Sequence, residues 1–430
     1  MVRQAQASPM GVWSGVGALL AVCAIGLIFL LQPAAPVQAA SFAIACPGGV
    51  GDVAGLVAAI NTANSNGQDD TITLAADCTF SFANENNVTS LGPNALPVIR
   101  NDSGTTLTIN GNGARFVRAG AAGSGSPMRF LQIDPAARIV INKLAFEQGR
   151  INAAGGAIYN HGILSLDRAV FLENRAEGGD SGAIFNADNA SLTLTRRSLR
   201  NNYSRDFGAI HNGNNATLVV ADSLFETNSA GISGGAISAA GNVAITGSTF
   251  SGNSAGGSGG ALHVDGGSWL IENSTFSGNS ANGDGGGLAI PSGVGAQVTI
   301  KHATFSGNNA KGIGAQVSRK PGSTLSIGNS ILANPLSGRN CNGSITNLGG
   351  NLQFGGTHST SCGSFTVANP LLGALQDNGG LTPTMQPAVG SPAIDTAAGN
   401  LCSPTDQRGI ARPVGAKCDI GAVEVIPLQT

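Results

Sequence analysis

The sequence predicts an all-β chain, a single-stranded right-handed parallel β-helix with an N-terminal capping helix and a disulfide-bearing C-terminal cap. Three observations carry this. Three sequence anchors recur together every 25 to 29 residues. Glycine supplies 64 of the 430 residues, and charged residues only 11 %, against about 25 % in an ordinary soluble domain. Six cysteines follow residue 40, two near the front and four near the back, with none in the repeated middle.

The anchors define the unit. A Gly-Ala-aliphatic step appears as "GGAI" at Gly155, "SGAI" at Ser181, "FGAI" at Phe207, "GGAI" at Gly234, "GGAL" at Gly259 and "GGGL" at Gly285. An apolar-x-apolar pair follows it, as in Leu164/Leu166, Val243/Ile245 and Val298/Ile300. Next comes F-x-x-N, from Phe171/Asn174 to Phe305/Asn308, with Leu199/Asn202 a weaker copy. Each unit thus holds three short runs of period-2 alternation between Gly, Asn and Ser, which is strand chemistry. So small a unit cannot bury its apolar face alone. Stacking the units about 4.8 Å apart does so and lines up like residues in ladders. A leucine-rich repeat of similar period needs leucine in more than one run per unit, so it fits worse.

Residues 1–40 read as a signal peptide or N-terminal anchor. Arg3 precedes an apolar run from about Gly15 to Leu31, and "PVQA" leads to cleavage after Ala39 or Ala40. The run is long enough to keep an uncleaved anchor open, and Val22 argues against lipidation at Cys23. Export agrees with the even cysteine count. The expected disulfides join nearest neighbours: Cys46 with Cys78, Cys341 with Cys362, and Cys402 with Cys418. Over 52–64, Val53, Leu56, Ile60 and Ala63 fall on one helical face, which predicts a helix plugging the first coil. The β-helix is expected over 41–340 with regular coils from 155, and 341–430 reads as an irregular C-terminal cap.

Stacking assigns roles. Asn174, Asn202, Asn228, Asn253, Asn279 and Asn308 are expected to form a structural ladder at one corner. Tyr159, Phe185, His211 and His263 should point outward in one stripe, a candidate face for stacking sugar rings. The two histidines lie two coils, ~10 Å, apart and cannot share a metal. Asp180 and Asp206 occupy one slot in adjacent coils, with Arg175 and Arg205 nearby. They could bind Ca²⁺ or share a proton, but Ser233 and Ser258 fill the same slot in later coils, which favours a solvated turn. Arg168, Arg196, Arg197 and Arg200 form a basic cluster, read as a solvated face with Asp167 and Asp222 as partners. Asp377, Asp395, Asp406, Asp419 and Glu424 read as turn caps. No cofactor is expected, and no G-x-S-x-G, H-E-x-x-H or P-loop occurs. A formal net charge of −2 argues against nucleic acid as a partner. A monomer is expected, touching membrane only through its N-terminal segment.

The alternation of "GGAI" and "F-x-x-N" resembles the repeats of chlamydial polymorphic membrane proteins, surface-displayed β-helices associated with adhesion. The flanks "LVAAINTAN" and "DNGGLTPTMQPAVGSPAID" with "DQRGIARPVGAKCDIGAVE" resemble exported bacterial proteins called choice-of-anchor Q. These resemblances imply a secreted or cell-surface, pectin-lyase-like β-helix in adhesion or envelope structure, probing a surface polysaccharide or a host or neighbouring cell. They bring no established chemistry. The same fold class hosts pectate lyases and polygalacturonases, so a polysaccharide lyase or hydrolase is the alternative, with Asp180, Asp206, Arg196, Arg197 and Arg205 as its candidate residues. The chain shows no C-terminal transmembrane β-barrel pattern, and no sorting motif or apolar tail after Glu424, so the anchor is expected to be missing or to be the N-terminal apolar run.

Overall fold

The structure, a computed structural model, describes residues 39–120, 125–358 and 360–427; the expected targeting segment lies almost wholly outside them. The described chain winds as a right-handed parallel β-solenoid of about 11 turns. One regular coil runs through Ile163–Asp167 on a first sheet, Val170–Leu172 on a second, Arg175–Ala176 on a third and Ile184–Asn186 on a fourth. The first two sheets each hold 12 strands, the fourth nine and the third seven. Every pairing within these four sheets is parallel, and a coil therefore repeats its neighbour in register, as in Leu192↔Leu218 and Leu218↔Val243.

The third sheet goes beyond the three runs per unit read from the sequence. Its strands are only two residues long, such as Tyr203–Ser204 and Ser254–Ala255, too short to show any periodicity. Corners between sheets need left-handed backbone, and it is not always glycine that supplies it. After the second sheet the corner residues are Glu173, Asn201, Thr227, Gly252, Gly278, Gly307 and Asn334, all at φ between 51° and 69°. Before the fourth sheet glycine prevails, although Ser181 holds the same slot at φ 65°. Gly259 has φ 72°, and a Cβ there would lie 2.3 Å from the Leu262 carbonyl oxygen.

Phenylalanines form the spine of the core. Phe225, Phe250, Phe276 and Phe305 stack with ring centroids 4.7, 4.7 and 4.3 Å apart, all fully buried. Phe146 and Phe171 stack at 5.0 Å, and Leu199 stands between the two runs. At the front, helix Val53–Ala63 closes the barrel. Asp52 caps it by accepting the Gly55 N–H at 2.8 Å, and Leu56, Ala59, Ile60 and Ala63 face the core. Among the described residues no helix is long and apolar enough to cross a membrane.

Past residue 340, where the sequence predicts the cap, one more coil forms. Cys341–Asn342 joins the fourth sheet, Thr346–Gly349 the first and Leu352–Phe354 the second. Residues 369–427 then turn back as a strap along the second sheet and its corner with the first. Thr382 Oγ1 donates to the Gly247 carbonyl (2.9 Å), Thr275 Oγ1 to Gln407 Oε1 (2.6 Å), and the Ala422 N–H to Thr304 Oγ1 (3.0 Å). The outward Thr249, Thr275, Thr304 and Ile331 are buried beneath it, whereas Val170 in the same column lies in the open. Cysteines pair as Cys46–Cys78, Cys341–Cys362 and Cys402–Cys418, the last within the strap.

Candidate functional site

The outer column of the fourth sheet holds the residues of most chemical interest. Register aligns Tyr159, Phe185, His211, Ser238 and His263 on successive coils. The sequence suggested that these rings offer flat faces to a sugar; the structure does not present them so. Tyr159 and Phe185 stack on each other at 4.9 Å, and Phe185 on His211 at 5.2 Å. Phe207 packs on His211 from the side at 5.5 Å. The cause is geometric: in-register strands set like side chains one strand spacing apart, and planar rings then lie along the solenoid axis. Their faces are taken by one another and their edges point outward.

A guanidinium covers the front of this stack. Arg129 is fully buried, lies 5.3 Å from the Tyr159 ring centre, and donates to Asn94 Oδ1 and the carbonyls of Leu91 and Ala154. Burial pulls its pKa down to about 10. Nothing in the sequence flagged Arg129, because it stands in an early coil without the repeat.

The back of the stack is polar. Ser238 Oγ donates to Asp265 Oδ2 at 2.7 Å, and His263 Nδ1 lies 3.0 Å from the same oxygen. Ser, Asp and His therefore meet, but with the carboxylate in the middle. The serine hydroxyl donates to the carboxylate and not to the imidazole, so this is not the Ser-His-Asp order in which the imidazole activates the hydroxyl. Asp180 and Asp206 sit in adjacent coils beside His211, as the slot alignment expects. Asp206 is bound by Arg205 at 3.1 Å. The Asp180 carboxylate has no hydrogen-bond or ion-pair partner among the described residues. Burial, then the charge of Asp206, push the Asp180 carboxyl up, while the His211 imidazole opposes them. Burial likewise pulls His211 down against the nearby charges of Asp180, Asp265 and Asp188, and its enclosed Nδ1 lacks a partner among the described residues.

Of the arginines of the enzyme alternative, Arg205 stands at this place, bound to Asp206, whereas Arg196 and Arg197 lie elsewhere. Arg196 lies at the corner of the first and second sheets, bound to Asp167 at 2.7 Å, and Arg200 pairs with Glu226 at 3.2 Å on the second sheet. Arg197 corrects the reading of a solvated face. It is only 3 % exposed, because the residue after each left-handed corner points inward; Ala169, Ser223 and Ser248 hold the same buried slot. Burial draws its pKa down to about 9, and its guanidinium has no hydrogen-bond partner among the described residues.

Columns at the corners are hydrogen-bonded. Asn174 Nδ2 donates to Asn202 Oδ1, and the pattern passes through Asn228, Asn253 and Asn279 to Asn308, each step 2.9 to 3.0 Å. A second column escaped the sequence reading. Asn160, Asn186 and Asn212 are buried, with Nδ2–Oδ1 distances of 2.6 Å. Its signal was the recurrence of "IYN", "IFN" and "IHN". In the strap, Asp377 caps a turn through the Gly379 N–H, whereas Asp395 reaches across to accept the Lys417 N–H from a distant segment. Asp406 binds Arg408, Glu424 binds Arg412 at 3.0 Å, and Asp419 accepts two backbone N–H groups. Among the described residues no three His, Cys, Asp or Glu side chains gather into a metal site.

Residues 247–265 and 273–291 match the Chlamydia polymorphic membrane protein repeat. Each matched stretch runs from a corner of the first sheet through Phe250 or Phe276, the corner Asn253 or Asn279, and the glycine turn, to the end of the fourth sheet. The repeat is thus one coil's worth of ladder and corner positions. No curated protein and no solved structure matches the chain.

Proposed function

We propose that this chain is an exported β-helix displayed at the cell surface, non-enzymatic, that serves adhesion or envelope structure through glycan contact on its fourth sheet. The observation that carries the reading is the polymorphic membrane protein repeat on two consecutive coils of a long solenoid, which fits a surface-exposed β-helix protein. The flanks resembling choice-of-anchor Q proteins, and a pectin-lyase-like lineage, belong to the same proposal. Attachment through the N-terminal apolar run belongs to the same proposal, and the protein acts as a monomer, without nucleic acid or a bound cofactor.

Glycan contact draws support from the half-buried edges of Tyr159 and Phe185, set beside the unpartnered Asp180 and His211. Edges and carboxylates suit hydroxyl-rich ligands lying along the sheet. The decisive experiment labels intact cells with an impermeant reagent, then measures retention and chain shortening of neutral, acidic and amino polysaccharides. Labelling and retention without shortening fit the proposal. Shortening that Asp180→Ala abolishes would establish a lyase or hydrolase instead.

A further inference from the structure

Resting on that reading, we infer that the fourth-sheet face selects glycans bearing free amino groups and rejects uronates. Charge is the first ground. Asp180, Asp188 and Asp265 act on His211 from the two edges of the sheet, and Asp206 adds to the field at Asp180. Arg205, the cation beside Asp180, is engaged by Asp206, and the Arg129 guanidinium covers the far, Tyr159 end of the stack. A uronate would bring a further carboxylate into this field and be repelled, whereas a hexosamine ammonium would neutralise it.

The second ground is the unfilled hydrogen-bonding capacity. His211 Nδ1 is enclosed without a partner, and the Asp180 carboxylate beside it is also unpaired. Asp180 is only part-buried and its oxygens are open, so a ligand donor can reach them directly, whereas the enclosed Nδ1 leaves His211 Nε2 as the nitrogen open to a ligand. Ammonium and hydroxyl groups both donate, and the ammonium donates with charge.

The third ground is repeat length. Ring centroids of Tyr159, Phe185 and His211 follow one another at 4.9 and 5.2 Å along the axis. That step is close to the length of one hexose in an extended β-linked chain. An amino polysaccharide lying along the axis would therefore meet one coil per sugar, with alternate sugars turning opposite faces to the sheet. A lysine-rich peptide lacks that correspondence.

The test measures binding by calorimetry to hexaglucosamine, its N-acetylated form, hexagalacturonate and hexalysine. Hexaglucosamine should bind about tenfold more tightly than the N-acetylated hexamer, equivalent to roughly 1.4 kcal/mol. Hexagalacturonate should give no heat. Asp180→Asn should remove most of the amino preference, and His211→Phe, which keeps the ring stack, should weaken binding. Glu85→Gln, an exposed acid in an early coil, should change nothing. Equal affinity for both glucosamine forms, or unchanged binding by Asp180→Asn, overturns the inference while leaving glycan contact intact. Hexalysine binding as tightly as hexaglucosamine overturns it as plain polycation attraction. If none of the sugars binds, glycan contact itself falls and the inference with it.

Discussion

Asn253 holds Asn279 twice: its backbone N–H and its side-chain Nδ2 both donate to Asn279 Oδ1, at 3.0 and 2.9 Å. Asn253 Oδ1 in turn receives the same pair of bonds from Asn228. Each carboxamide therefore satisfies a buried N–H of the preceding coil. Removing one leaves donors unpaired in a dry interior, at about 1–3 kcal/mol for each orphaned group. Asn253→Ala should cost about 2–4 kcal/mol in denaturant unfolding. Asn174→Ala, at the head of the column, should cost less, because no earlier asparagine donates to it.

Thr227 holds a left-handed corner at φ 53° although it is β-branched. Such a backbone costs a non-glycine residue about 1–2 kcal/mol, and asparagine tolerates it better. Thr227→Asn should raise the unfolding midpoint, stabilising by about 1 kcal/mol. Thr227→Val should lower it, since Val keeps the strain and loses the Oγ1 bond to Asn201.

His302 is fully buried against the strap, with Nε2 3.1 Å from the Leu401 carbonyl oxygen. Burial, reinforced by the nearby Arg412 guanidinium, holds its pKa down to about 3. In the unfolded chain it titrates near 6.5. Between those values the unfolded state binds the extra proton, so stability falls as pH drops below about 6.5, by at most ~1.4 kcal/mol per unit. His302→Gln should flatten that acid limb in urea unfolding measured at pH 7 and pH 5.

Arg412 and Glu424 form an ion pair with both side chains essentially buried. Breaking one side of such a pair costs about 3–5 kcal/mol, since the other charge is left alone. Arg412→Met should loosen the strap while the coils stay folded. Hydrogen exchange should then speed up over 396–425 and beneath it at Thr275 and Thr304, with Leu164 and Leu192 still protected. Combining it with Glu424→Gln should restore part of the loss.

What could be read ahead of the structure followed from repetition. Phe250 and Phe276 share a context, so their stacking follows from spacing alone, and so does the alignment of Asp180 with Asp206. Features outside the repeat were hidden for physical reasons. Arg197 is charged and reads as surface, yet its slot is set by a corner that turns the next residue inward. The side of the sheet that Tyr159 and Phe185 occupy was legible, but not the tilt that makes them stack. The strap bridges positions more than 130 residues apart, such as Thr275 and Gln407, and no local pattern announces such a pairing.

The strap also constrains how the length of this protein can change. Among the described residues, coils between Ile163 and Asp222 make their hydrogen bonds with neighbouring coils and none with the strap, so a duplicated unit there merely lengthens the rod. From Gly247 onward each coil is matched to a particular strap residue, with Gly247 bound to Thr382, Thr275 to Gln407 and Thr304 to Ala422. An inserted unit in that region would shift these pairs by one rung. Gain and loss of coils should therefore be tolerated in the front half and selected against in the back.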